Sequence, residues 1–236
     1  MTARKTPYLT TTLFTILALN ILFTTSLSHA NTTNIQLSPI DRQIEQIKKR
    51  YSLFEGWDLT IRAPSSLSSE SSHALYKVNE RWQKFSGTTE VSTDLSIDVS
   101  KRLEAWRKIT RNEYALSTTA KLLQVNNFFN RLAFKSDQEN WGLGDYWASP
   151  IEFLSSNAGD CEDYAIAKYF TLTLMGIPID RLRIVYVKAA NLGQAHMVLA
   201  YYEALNQDPL ILDNLNPMIL PASKRPDLIP VYSFNG

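Results

Sequence analysis

Asn157-Ala158-Gly159-Asp160-Cys161-Glu162-Asp163-Tyr164 contains the single cysteine of a 236-residue chain, with three carboxylates packed around it. The run behind it, Ala165-Ile166-Ala167-Lys168-Tyr169-Phe170-Thr171-Leu172, reads as a largely buried helix, with Gly176 as a left-handed cap and Pro178 as a stop. Cys161 then falls in the first helical turn, where unpaired N–H groups and the positive end of the dipole favour a thiolate. On this octapeptide alone two readings stay open: a reactive thiol, or a small buried residue whose acidic neighbours merely suit a helix start. A lone cysteine excludes a disulfide within the chain.

Downstream of that helix the apolar period changes to two. Leu182 to Lys188, His196 to Tyr202 and Leu210 to Asp213 are expected strands separated by polar breaks. Glu203 to Asp208 makes the last two a hairpin. If its turn centres between Ala204 and Leu205, His196 lies opposite Asp213; centred one residue later, the two are diagonal neighbours. Both registers place the side chains on one face. A carboxylate in reach of an imidazole fixes its tautomer and stabilises its charged form. Cys161, His196 and Asp213 thus form a candidate set of nucleophile, base and orienting acid. His73, in a serine-rich stretch, has no comparable neighbours.

Upstream, Trp141-Gly142-Leu143-Gly144-Asp145-Tyr146-Trp147-Ala148-Ser149-Pro150 is an expected loop whose tryptophans either wall a cleft or cover the core edge. Asn157, Trp147 and Trp141 are candidates for the second donor of an oxyanion site beside the Cys161 backbone N–H. Three apolar stripes precede the loop: Leu75, Val78, Trp82 and Phe85; Val99, Leu103, Trp106 and Ile109; Leu122, Val125, Phe129 and Leu132. Their spacing predicts packing helices. Helices followed by an antiparallel sheet make an α+β fold. Ser65 to Ser72 reads as a loop or linker, and Ser38 to Tyr51 as an amphipathic helix with Pro39 in its first turn.

Arg4 and Lys5, an apolar run from Leu13 to Phe23 and the small residues of Ser28-His29-Ala30 predict a secretory signal peptide cleaved after Ala30. The expected organisation is leader 1–30, helix and serine-rich linker 31–72, and one domain 73–236. Arg4 and Lys5 are the leader's charged residues, so a balance of 24 basic against 23 acidic becomes 22 against 23 in the mature chain. No basic stripe points to nucleic acid as a partner. An exported chain with one unpaired cysteine marks that thiol as a candidate reactive group. HExxH, CxxC and glycine-rich phosphate loops are absent.

Asp145-Tyr146-Trp147-Ala148-Ser149-Pro150, Gly159-Asp160-Cys161-Glu162-Asp163-Tyr164, His196-Met197-Val198-Leu199 and Leu212-Asp213-Asn214 together resemble the bacterial transglutaminase-like cysteine proteinases, over roughly Leu75 to the C-terminus. The resemblance implies a papain/transglutaminase-like fold with Cys161 as nucleophile, His196 as base and Asp213 as orienting acid. It implies a periplasmic protease that cuts the N-terminal region of a large repeat adhesin, releases it from the outer membrane and so controls biofilm attachment. An inner-membrane cyclic di-GMP receptor is the implied inhibitory partner.

Three carboxylates beside a nucleophilic thiol disfavour its ionised form, and a hard cation would cancel them. Asp160, Glu162 and Asp163 offer the oxygen ligands that calcium takes. The resemblance implies calcium dependence too, and it is the main reason to add Asp180, from the loop beyond the helix, as a fourth ligand. Two alternatives keep the same residues. A transglutaminase would pass the acyl group to an amine, and a non-catalytic periplasmic adaptor would retain the triad as a relic.

Overall fold

The structure is a computed structural model that describes residues 57, 65–86, 96–111, 115–204 and 207–235. The leader read at 1–30 and the helix read at Ser38 to Tyr51 lie outside the described residues. All described residues belong to one compact unit, Gln43–Gly236. Among them, no helix is long and apolar enough to cross a membrane.

Three helices come first: α1 (Ser65–Ser86), α2 (Ile97–Thr110) and α3 (Thr118–Phe129). Each buries part of the stripe expected of it, with Leu75, Val78 and Trp82 on α1, Leu103 and Trp106 on α2, and Leu122, Val125 and Phe129 on α3. Ser96 and Ser117 cap α2 and α3 by accepting from the N–H groups of Val99 and Ala120. The serine-rich stretch expected as a loop is instead the first two turns of α1. Serine is a weak helix former because it competes for backbone hydrogen bonds, but here the buried stripe beyond it propagates the helix. Ser71 is itself buried, its Oγ 3.1 Å from the Tyr232 hydroxyl.

Next come β1 (Ala133–Phe134), the short α4 (Asp137–Asn140), α5 (Pro150–Ser156), β2 (Ala158–Gly159) and α6 (Cys161–Leu174). The sequence signal for α5 is a capping box: Ser149 accepts from the Glu152 N–H, Glu152 accepts from the Ser149 N–H, and Pro150 opens the first turn. β1 and β2 pair in parallel and tie the chain before α4 to the segment entering α6.

Five strands complete the fold: β3 (Leu182–Ala189), β4 (Gln194–Tyr201), β5 (Leu210–Leu212), β6 (Leu220–Pro221) and β7 (Leu228–Phe234). They form an antiparallel sheet in the order β6-β5-β4-β3-β7. Helices against an antiparallel sheet are the α+β architecture expected. α6 is the central helix, buried from Asp163 to Leu172, and packs on β4, α3 and α5. One face of the sheet, with Ile184, Met197, Leu199, Tyr201 and Leu212, shares the core of α6. The alternate residues Val185, Val187, Val198, Ala200 and Ile211 are buried on the other face with Trp57, the period-two alternation of a strand covered on both sides.

Candidate active site

Leu199 pairs with Leu212 and Ala200 with Ile211, which is the later of the two hairpin registers. His196 and Asp213 are diagonal neighbours, and the His196 Nε2 lies 2.8 Å from Asp213 Oδ1. Both side chains are buried. Burial alone would raise the Asp213 carboxyl. The hydrogen bond and charge of His196, the Leu215 N–H and Arg225 outweigh it and hold the group at about 2. An ionised carboxylate can only accept, so Nε2 carries the proton and Nδ1 is the nitrogen left for proton exchange.

Asp213 is held from several sides. Oδ1 also accepts from the Leu215 N–H at 3.0 Å, its carbonyl accepts from Asn130 Nδ2 at 2.8 Å, and Oδ2 accepts from Arg225 Nη2 at 2.7 Å. Arg225 in turn grips Asp227 through Nε at 3.0 and 3.2 Å and through Nη2 at 2.7 Å. The sequence reading passed over this arginine, which stands in a Lys-Arg-Pro-Asp turn with no periodic signal.

Cys161 opens α6 at its first helical position. It lines a cleft of about 600 Å³ with His196, Met197, Trp147, Tyr186 and Tyr232, and α1 supplies another wall. No hydrogen bond joins Cys161 to His196 among the described residues; the thiol donates to Glu162 Oε2 at 3.0 Å. Burial, followed by the charge of Glu162, pushes the thiol up, against the lowering by the Met197 N–H. Burial first, and the adjoining carboxylates after it, thus oppose the thiolate that a helix start favours.

Of the three candidate oxyanion donors, Trp147 lines the cleft and stacks on Phe234 at 5.7 Å. Trp141 packs on Tyr146 instead, and Asn157 occupies the left-handed C-cap of α5 at φ 59°. The tryptophan loop both walls the cleft and covers the core.

The acids divide differently from the sequence reading. Asp160 and Glu162 share a cluster with Asp137, whose ligand atoms lie within 4.8 Å of one another. Asp137 was missed. It sits in α4, brought here by the β1–β2 pairing, and its only sequence signal is the Ser136-x-x-Glu139 capping box. Asp163 is fully buried and not part of that cluster, accepting from the N–H groups of Ala148 at 2.7 Å and Asp160 at 3.4 Å. Burial, with Glu162 and Asp137, raises it to about 8 against those hydrogen bonds. Asp180 is exposed beyond the far end of α6. Fourteen residues at about 1.5 Å each put that end roughly 21 Å from Cys161. The chain does not fold back, because the turn holding Asp180 directly precedes β3, whose Leu182 pairs with Tyr201 while Val187 pairs with His196, so Asp180 stays at the end of the sheet away from the cluster and cannot complete it.

The cluster has the features of a cation site. Asp160 Oδ1 and Asp137 Oδ1 are buried without a hydrogen-bond partner. Burial and the negative charge of Glu162 push the Asp160 carboxyl to about 9. Buried carboxylate oxygens without donors are costly unless neutralised or metal-bound, and three convergent oxygens suit a hard divalent ion.

The family model described as bacterial transglutaminase-like cysteine proteinase BTLCP matches residues 100–227. Among solved structures, the calcium-bound LapG of Legionella pneumophila is 42% identical, with a TM-score of 0.57, covering 69% of this chain and 84% of that one. The EGTA-treated LapG of the same organism is also 42% identical, with a TM-score of 0.56, covering 68% of this chain and 81% of that one. No curated protein sequence matches.

Proposed function

The chain belongs to the bacterial transglutaminase-like cysteine proteinases, and on that premise we propose that it is a calcium-dependent, exported thiol endopeptidase whose working residues are Cys161, His196 and Asp213. One observation carries the reading: a cysteine at a helix start and a buried, carboxylate-bound histidine line the same cleft. Asp213 holds the imidazole with Nδ1 available to take the Cys161 proton. The Cys161 sulfur attacks a substrate carbonyl, His196 returns the proton to the leaving amine, and water releases the acyl group. The Cys161 backbone N–H, at the first position of α6 where helix N–H groups lack an intrahelical acceptor, would meet the developing oxyanion, with Trp147 as the second donor.

Asp137, Asp160 and Glu162 are the residues that would hold calcium, a reading supported by their orphaned oxygens and by the calcium-bound relative. A bound ion would supply positive charge against the carboxylates that, after burial, push the thiol up. Asp163 serves the site differently, by pinning the Ala148 and Asp160 backbone.

The substrate we assign is the N-terminal region of a large repeat adhesin at the outer membrane. Its cleavage would release the adhesin and control biofilm attachment, restrained by an inner-membrane cyclic di-GMP receptor. Both partners rest on the family, and export to the periplasm rests on the leader pattern at residues 1–30. The test is incubation of adhesin N-terminal fragments with the wild type and with Cys161→Ala and His196→Ala. Cleavage by the wild type alone, abolished by EGTA and restored by calcium, is expected. Cleavage by either variant at the wild-type rate removes the assignment.

A further inference from the structure

Asp213 is 1% exposed and Arg225 3%, so an ion pair of full charge lies in the interior directly behind His196. A buried guanidinium is destabilising unless its donors are matched to acceptors, and this one is divided between two carboxylates. Its Nη2 reaches Asp213 Oδ2, while its Nε and Nη2 together engage both oxygens of Asp227. The backbone holds it in place, with the Arg225 N–H on the Ala222 carbonyl at 2.9 Å and the Leu228 N–H on the Arg225 carbonyl at 3.1 Å. Nη1 is buried without a partner, so the residue gives up one hydrogen bond in adopting this pose. A turn that needed only closure would be served by the exposed edge of Asp227 and water.

The consequence lies in the geometry of Asp213. A carboxylate turns about its terminal torsion with a broad, two-fold preference, and either oxygen could meet the imidazole. With Oδ2 committed to Arg225 and Oδ1 also accepting from the Leu215 N–H, one orientation remains, and Oδ1 is aimed at His196 Nε2. We propose that Arg225, braced by Asp227, is a positioning residue that locks Asp213 and thereby holds His196 in its Nε2–H tautomer. The proposal rests on the Cys161-His196-Asp213 reading. It adds a member that touches neither substrate nor reacting atoms.

Its test is nitrogen-15 NMR of the His196 ring in the full chain, for the wild type, Arg225→Met and Arg225→Lys, beside steady-state cleavage of the adhesin fragment. The wild type should show one tautomer, protonated at Nε2. Arg225→Met leaves Oδ2 without its donor, and both tautomers should appear, with kcat reduced about 10²-fold and KM little changed. Arg225→Lys keeps one donor and the charge, so it should restore most of the Nε2–H signal and part of kcat. Should Arg225→Met fail to fold, Arg225→Lys and Asp227→Asn carry the same readouts, with partial loss of the single tautomer expected in each. A wild-type His196 spectrum and wild-type kcat in the folded variants would overturn the proposal and leave Arg225 as a brace of the turn alone. Cleavage by Cys161→Ala would instead remove the proteolytic reading while leaving the His196 spectra unchanged, so the two failures are distinguishable.

Discussion

Replacing Lys168 with methionine should stabilise the protein, and the gain should vanish as pH rises. Lys168 lies two turns beyond Cys161 on α6, 1% exposed in a helix buried from Asp163 to Leu172. Its Nζ stands 5.8 Å from the Tyr164 ring. Burial lowers its ammonium from 10.5 to about 7, although the negative charge of Asp213 works the other way. A fall of about 3.5 pH units at about 1.36 kcal/mol each is about 5 kcal/mol for holding the charged form inside. Apolar replacement of buried charges typically recovers about 1–4 kcal/mol, and methionine fills a similar volume.

The sign follows from proton counting. Below about pH 7 the lysine is charged in both folded and unfolded chains, and the whole penalty is present. Between about 7 and 10.5 the unfolded chain holds a proton that the folded one has lost, so wild-type stability rises with pH. Above 10.5 both are neutral and the penalty is gone. Urea unfolding of both proteins from about pH 6 to about pH 10, followed by tryptophan fluorescence, measures this directly. The advantage of Lys168→Met should be largest at the acid end and lose most of its size by the alkaline end. Parallel stability curves would refute the reasoning, because other groups titrating in that range are common to both proteins.

Gly159→Ala would place a Cβ against the Asp163 carboxylate and 2.9 Å from the Phe153 ring, both buried; a loss of roughly 2–4 kcal/mol is expected from overpacking plus a displaced buried hydrogen bond, and an unchanged Tm would contradict it. Asp213→Asn keeps the shape but favours the wrong imidazole tautomer, so cleavage should fall by roughly 10³–10⁴-fold; a wild-type rate would show that Asp213 does not orient His196. Calcium should raise the Tm of the wild type by binding the folded state alone. That rise should disappear in Asp137→Ala and Asp160→Ala and persist in Asp180→Ala; its loss in the last variant would return Asp180 to the site.

What the sequence disclosed and what it concealed divide by the range of the contacts involved. Strands β3, β4 and β5 were legible because alternation is local, and the hairpin narrowed the His196–Asp213 geometry to two registers. β7 was not, because Pro230 interrupts its period; the strand sits at the sheet edge, where proline is tolerated. The serine-rich turns of α1 were hidden by composition, since what makes them helical is the stripe that follows and the distant Tyr232. Asp137 stands 24 positions before Cys161 and is brought to it by pairing of the two-residue strands β1 and β2, too short to carry a period. Asp163 is the instructive case, because its exclusion was readable. An acid three residues after the cap residue is placed to accept the N–H of that residue. Asp160-Cys161-Glu162-Asp163 is such a box, so Asp163 was committed to the backbone before any cation is considered. Glu162, at the second position of the helix, has no such obligation and is left to choose between the thiol and an ion.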